Sequence, residues 1–241
     1  MTKLTSLFLA LCIGTLSFAQ KNKATKSTGI EASTVSNLKF RLLGPALTSG
    51  RIADISVNPD NHNMWYVAAA SGGVWKTTNH GTTFSPIFDS YGSYSIGCVT
   101  LAPTNSNTVW VGTGENNNQR SVAYGDGVYK SVDGGKSFKN MGLKSSEHIG
   151  KILIHPTNEN IIWVAAYGPV WSKGGERGVY KSINGGETWK KTLNISEHTG
   201  VSEIAIDPNN PTILYASAHQ RRRREWTYIG GGPESGLYKS T

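Results

Sequence analysis

A five-residue string, made of glycine, an aliphatic residue, an aromatic, lysine and a hydroxyl residue, occurs four times in this chain. The copies are Gly73-Val74-Trp75-Lys76-Thr77, Gly127-Val128-Tyr129-Lys130-Ser131, Gly178-Val179-Tyr180-Lys181-Ser182 and Gly236-Leu237-Tyr238-Lys239-Ser240. Their lysines stand 54, 51 and 58 residues apart. Upstream of each lies a second repeated string: Ile55-Ser56-Val57-Asn58-Pro59, Thr100-Leu101-Ala102-Pro103, Ile152-Leu153-Ile154-His155-Pro156 and Ile204-Ala205-Ile206-Asp207-Pro208. A unit of about 50 residues cannot bury its own apolar face, so its copies must cover one another in an array. Short strands at that period are what the blades of a β-propeller show.

Four strands can be placed in each unit. The Ile-x-Val string is the inner strand, and the β-rich runs at 64–69, 109–112, 161–166 and 213–216 are the second. The Gly-Val-Tyr-Lys-Ser string is the third, and residues 84–88, 138–141 or 189–193 form the fourth. β-Branched and aromatic enrichment with Pro, Asn and Gly between the runs supports strands, and no segment after the N-terminal apolar run has helical periodicity. The expected fold is all-β: a propeller of four-stranded antiparallel blades at about 50–95, 96–148 and 149–198, with a partial fourth at 199–241. The fourth unit ends where its outer strand should begin, which reads as a truncated product whose remaining blades or C-terminal domains are missing. The alternative is that residues 37–43 supply that strand and close a four-bladed ring.

The turns between strands three and four are more specific. Ser131-Val132-Asp133-Gly134-Gly135-Lys136-Ser137-Phe138 and Ser182-Ile183-Asn184-Gly185-Gly186-Glu187-Thr188-Trp189 share a pattern, and Thr78-Asn79-His80-Gly81-Thr82-Thr83-Phe84 is a looser copy. The roles are structural. Asn79, Asp133 and Asn184 accept N–H bonds of the turn, Gly81, Gly135 and Gly186 allow positive φ, and Phe84, Phe138 and Trp189 close the hairpin. This pattern resembles the Asp box of BNR-type repeats, found in sialidases, xyloglucan-type glycoside hydrolases, sortilin-like receptors and photosystem II assembly-factor-like proteins. The chain from residue 20 onward most resembles the sortilin/BNR-like repeat proteins of secreting bacteria, often labelled glycosyl hydrolases. Gly72-Gly73-Val74-Trp75-Lys76-Thr77 and Gly112-Thr113-Gly114-Glu115-Asn116 carry that resemblance. It implies the fold strongly and a reaction weakly, because propellers host many functions.

Residues 1–19 read as an export signal, with Lys3 in a basic head, an apolar run at 7–16 and Ser17-Phe18-Ala19 before the cut. Residues 20–36 read as a flexible lead-in. The expected location is secreted or periplasmic, in a bacterium. Export would leave Cys98 as the only thiol, so packing and not a disulfide must hold the fold. The apolar run is shorter than the roughly 20 residues that span a bilayer, so no membrane insertion is expected. The net charge is +8, but residues 221–224 supply four of those charges in one run, read as a solvated loop. A nucleic-acid partner would call for basic residues spread along a face and interleaved with aromatics, which this chain lacks. Nothing in the sequence calls for a cofactor.

Strand alternation sorts the loops. Connections between strands two and three share a face with the blade-to-blade connections, and the Asp boxes lie on the other face. Blade one makes the first kind with Ser71-Gly72 alone, whereas residues 113–126, 168–177 and 219–235 are long inserts, which usually mark the binding face. Glu115, Asn116, Asn117 and Arg120 offer a carboxylate, amides and a guanidinium suited to sugar hydroxyls. Trp171 and Trp226 could stack on sugar rings or peptides, and Arg177 lies in the same insert as Trp171. Glu147-His148 and Glu197-His198 precede successive inner strands and would ring the channel mouth. No tight His or Cys pairing points to a metal.

These features leave two readings. The first is an extracellular module that binds a glycan or an extended peptide, which needs no catalytic pair. The second is a glycoside hydrolase, normally built on two carboxyl groups about 5 to 10 Å apart. Glu115 is then the best-placed acid, with Glu147, Glu176 and Glu197 as partners. In xyloglucan-type hydrolases, the resemblance implies a catalytic Asp just before the Gly-Gly of the first blade, where this chain has Ser71. The sialidase motif Phe/Tyr-Arg-Ile-Pro is similar to Phe40-Arg41-Leu42-Leu43 without its proline, with Arg51 and Arg120 as further arginines. A purely architectural propeller is the third possibility.

Overall fold

The computed structural model describes residues 32–36, 38, 50–117 and 122–240. The export signal, residues 40–43 and Arg120 lie outside the described residues, as does nearly all of the 37–43 segment considered as a closing strand. The chain divides into two units at Pro45/Ala46. The first contributes a short helix, Ala32–Val35. Among the described residues, no helix is long and apolar enough to cross a membrane.

The second unit is a β-propeller of four antiparallel sheets. Blade one is β1 (Ile52–Val57), β2 (Trp65–Ala69), β3 (Gly73–Thr77) and β4 (Ser85–Pro86). Blade two is β5 (Ile96–Ala102), β6 (Asn105–Thr113), β7 (Val128–Ser131) and β8 (Lys139–Asn140). Blade three is β9 (Ile149–His155), β10 (Asn158–Ala166), β11 (Gly178–Ser182) and β12 (Lys190–Leu193). In all three the strands pair in sequence order, and the outer strands β4 and β8 are only two residues long. The fourth sheet departs from the pattern: β13 (Thr199–Ile206) and β16 (Gly236–Lys239) flank β14 (Leu214–Arg223), as blade strands do. β15 (Tyr228–Gly230) pairs with the far end of β14, at Arg221–Arg223. The fourth blade thus has its three inner strands, and the expected 219–235 loop is mostly a hairpin. The arginine run is therefore not a solvated loop, and Arg221 is fully buried.

Each interface between blades is one apolar layer. Val99 and Leu101 of blade two pack with Tyr66, Ala68 and Val74 of blade one. Ile152 and Ile154 of blade three pack with Trp110 and Val128 of blade two, and Ile204 and Ile206 of blade four pack with Trp163 and Val179 of blade three. Free Cys98 lies in this core, where burial pushes its thiol up to about 12.

The Asp boxes fasten the same interfaces. Asp133 Oδ1 accepts from the Lys136 and Ser137 N–H groups at 3.0 and 2.9 Å, and Ser131 Oγ accepts from Gly135 N at 2.8 Å. The Ser137 hydroxyl, which donates to Asp133 Oδ2 at 2.6 Å, together with the Ser137 N–H and the Ser131 hydroxyl, holds the Asp133 carboxyl far below its usual range. Asn184 and Ser182 repeat the arrangement, and Asn79 and Thr77 do so in the looser copy. Gly134 O accepts from Lys76 Nζ at 2.8 Å and Tyr66 OH at 3.0 Å, and Gly185 O accepts from Lys130 Nζ. Each bonded box thus grips the blade before it. Phe138 packs edge-on against Phe88, and Trp189 against Trp110, whereas Phe84 is 41% exposed.

Candidate functional site

The two kinds of connection assigned to one face do meet there. Gly114 N donates to Ser95 O, Gly125 N to Glu147 O, Tyr167 N to His148 O and Gly174 N to Glu197 O. On the opposite face the Asp boxes bond the entry to strand two, as Gly134 N does to Asn107 O and His80 N to Asn63 O.

Glu115 is almost fully buried. Its carboxylate accepts from the Arg51 guanidinium, the Asn117 amide and the Ala123 N–H, so it ties blade one to its own loop. Asn116 donates to Gly150 O at 3.3 Å. His148 is also buried, with Nδ1 bonded to Glu115 O at 2.7 Å. Burial, with Arg221 and Arg177 nearby, pushes its pKa down to about 3, so the ring is neutral and cannot serve as a base of ordinary strength. These residues, proposed from sequence as ligand contacts, build the floor of the site.

Arg177 has a similar role. Its guanidinium is buried and donates to the carbonyls of Gly174, Tyr167, Pro169 and Ser172, closing the 168–177 insert on itself. A lysine carries no planar fork and cannot serve four carbonyls at once. Arg177→Lys is expected to cost about 2–3 kcal/mol, since the two buried acceptors, Tyr167 O and Pro169 O, would lose their partner. Limited proteolysis should then cut within residues 168–176 of the variant and spare the wild type; equal resistance would show that the insert is held by other means.

Glu147 is different. It sits at φ +60°, a region costly for any residue with a side chain. It is half-buried, its carboxyl accepts no hydrogen bond among the described residues, and burial pushes its pKa up against the opposing pull of Arg177. Glu197, at the matching position in the next connection, is half-exposed and lies 3.1 Å from Lys173 Nζ and 3.5 Å from His198 Nε2. Both glutamates act on the same guanidinium, that of Arg177. Glu176, the remaining candidate acid, accepts from Ser145 N and Oγ. Among the described residues, no group of three or more His, Cys, Asp or Glu side chains could hold a metal ion.

Trp171 and Trp226 come together. With Arg223, Arg224, Glu225 and Tyr228 they line an open cleft of about 330 Å³ beside the β14–β15 hairpin, which the Arg223 N–H anchors to Val170 O. Both indoles are exposed, Trp226 at 79%. Sequence reasoning missed a buried cluster two residues back along β14: Arg221 lies over the Tyr167 ring at 3.3 Å, and Tyr167 bonds His219. The signal lay in the aromatic at the end of β10 and the arginine inside a charged run, and only strand pairing brings them together.

No family model matches the chain. It is 25% identical over 234 residues to a xyloglucanase of Hypocrea jecorina (strain QM6a), a stretch covering 85% of this chain. Among solved structures, an ancestral GH74 enzyme aligns with 71% of the chain at 23% identity and a TM-score of 0.54. The GH74 xyloglucanase of Xanthomonas campestris aligns with 77% at 16% identity and a TM-score of 0.55. The chain is a β-propeller related to the xyloglucanase-type propellers. It spans 26%, 22% and 28% of the lengths of these three proteins, about a quarter of each. An auxiliary nutrient binding protein of Bacteroides thetaiotaomicron has a similar fold, with a TM-score of 0.50 at 14% identity over 79% of the chain.

Proposed function

We propose that this chain is part of a glycan-cleaving propeller that acts outside the cytoplasm on a β-linked polysaccharide of the xyloglucan class. Glu147 carries the reading. A half-buried carboxyl with a raised pKa on a strained backbone, at the mouth formed by the long inserts, is what a general acid requires. It would protonate the glycosidic oxygen while Glu197, paired with Lys173, activates water across the sugar. The likeness to the fungal xyloglucanase supports glycoside hydrolysis over simple binding, and its name supplies the substrate class.

The test is to incubate the protein with xyloglucan and with unbranched β-glucans and to follow release of reducing ends. Turnover that disappears in Glu147→Gln supports the reading, whereas turnover that survives assigns the acid elsewhere.

A second reading, glycan binding without cleavage, is favoured by Ser71, which stands where xyloglucan-type hydrolases place an acid. Saturable binding of xyloglucan with no turnover would establish it. Under either reading Trp226 stacks on a sugar ring, so Trp226→Ala should weaken Kd or KM about tenfold and leave kcat alone. Isothermal titration with xyloglucan oligosaccharides checks this, and unchanged affinity would remove the cleft from the site.

A further inference from the structure

We propose that the cleft between Trp171 and Trp226 selects a glycan decorated with uronic acids, its arginines taking the carboxylate of the sugar that the indoles hold. The inference rests on the reading of the cleft as a sugar subsite and adds to it the charge of the ligand. The walls of the cleft are the inserts of blades three and four, joined by the bond from Arg223 N to Val170 O.

The strand sets out the charges. Side chains alternate along β14, so Arg221 and Arg223 share a face. The first is fully buried over Tyr167, the second is half-buried at the cleft, and Arg224, just past the strand, is exposed. Other cations on this unit have carboxylates: Arg51 has Glu115, Lys151 has Asp54 and Lys173 has Glu197. Arg223 and Arg224 form no ion pair among the described residues, although Glu225 lines the same cleft. Arg223 is held instead by the Tyr228 ring, 5.0 Å from its guanidinium carbon. A cation–π contact uses no N–H donor, so the planar fork stays open to a carboxylate.

The chemistry of the lining then narrows the ligand. The apolar C–H face of a pyranose stacks on an indole, and a neutral sugar leaves two guanidinium groups without a counter-charge. A uronic acid carries a carboxylate in place of the primary hydroxyl, which a guanidinium can grip through two parallel N–H bonds. Glu225 accepts from hydroxyls and repels a second anion close to the first. Two arginines against one glutamate leave the cleft net positive by a single charge. That balance suits isolated acidic sugars and opposes a nucleic acid or an acidic peptide, whose charges recur at every unit.

Isothermal titration of the full chain tests this with matched xyloglucan oligosaccharides, one neutral and one with its free primary hydroxyls oxidised to carboxylates. The acidic form is expected to bind about fivefold tighter at low salt, the scale of exposed ion pairs. At about 1 M salt, where the Debye length falls to roughly 3 Å, the preference should shrink to within about twofold. Arg224→Gln should bring the ratio of the two affinities close to one. Glu225→Gln should raise that ratio about twofold, a change of opposite sign that simple damage to the fold does not produce. Equal affinities in the wild type overturn the proposal, as does a preference that survives replacement of both Arg223 and Arg224 by glutamine. So does displacement of the acidic oligosaccharide by polyglutamate or single-stranded DNA at equal concentration. Binding of neither form overturns it together with the sugar reading of the cleft. Acid-selective binding without release of reducing ends supports it and removes hydrolysis alone, whereas turnover with equal affinities removes charge selection alone.

Discussion

Gly150→Ala should unfold this propeller at temperatures where the wild type is intact. A methyl group at position 150 would stand 2.2 Å from the Ser202 carbonyl oxygen and 2.8 Å from its carbon. Both atoms are backbone of the next inner strand, so no rotamer change relieves the clash. The same approach to the next inner strand occurs at Gly97, where the methyl would meet Ile149 O at 2.0 Å, while at Gly200 it would meet backbone of the preceding blade, Tyr167 O, at 1.9 Å. Overpacking usually costs about 1–3 kcal/mol, and a backbone obstacle puts this case at the top of that range or above it. For a domain of this size, that lowers Tm by about 6–12 °C. Gly174→Ala is the control: nothing lies within 4 Å and only its φ of +77° is unfavourable, so its loss is about 1 kcal/mol. Thermal unfolding of the three proteins decides the matter, and a Gly150→Ala curve within about 2 °C of the wild type would refute the steric account.

Glu147→Gln carries the second large effect. If Glu147 delivers the proton to the leaving oxygen, its loss removes about two to four orders of magnitude from kcat with little change in KM. The pH profile should carry the same signature. The acid must be protonated, so kcat falls as pH rises through the raised pKa of Glu147, and the fall sits higher than an ordinary glutamate would place it. Stability falls in the same direction of pH. Because burial raises the folded-state pKa, ionised Glu147 costs stability above the ordinary value of about 4.5, and that cost vanishes as pH drops below it. Glu147→Gln should therefore be at least as stable as the wild type at neutral pH, with the difference gone at pH 4. A variant less stable at pH 7 than at pH 4, relative to the wild type, would mean that Glu147 is held by an ion pair instead.

The blades were legible because their determinants are local and repeated. Ile152 and Ile154, the turn glycines and the Asp133 acceptor are set by period and turn chemistry, and both survive without knowledge of what lies across the interface. The site was legible only in outline. Trp171 and Trp226 were assigned to one face by strand alternation, and the structure brings them into one cleft. The burial of Glu115 was hidden because Arg51, its ionic partner, is 64 residues away. Arg221 was hidden for the opposite reason. A run of four arginines reads as solvent-facing, yet β14 extends far enough to carry the first of them inside, over Tyr167. Glu147 entered only as a partner for Glu115 and Arg177 only as a binding candidate, and burial separates a strained carboxyl at the mouth from a guanidinium spent on four carbonyls.

The lysine that lies over the aromatic of its own blade while holding the Asp-box carbonyl of the next has a consequence for how such chains change over generations. A complete fifty-residue unit, such as blade two with Lys130 and the Gly134 carbonyl, encodes both halves of the clasp, so a duplicated unit spliced between two others meets a ready partner on either side. Lengthening or shortening the array by whole units then demands no compensating substitutions, whereas an insertion of half a unit leaves a clasp with no mate.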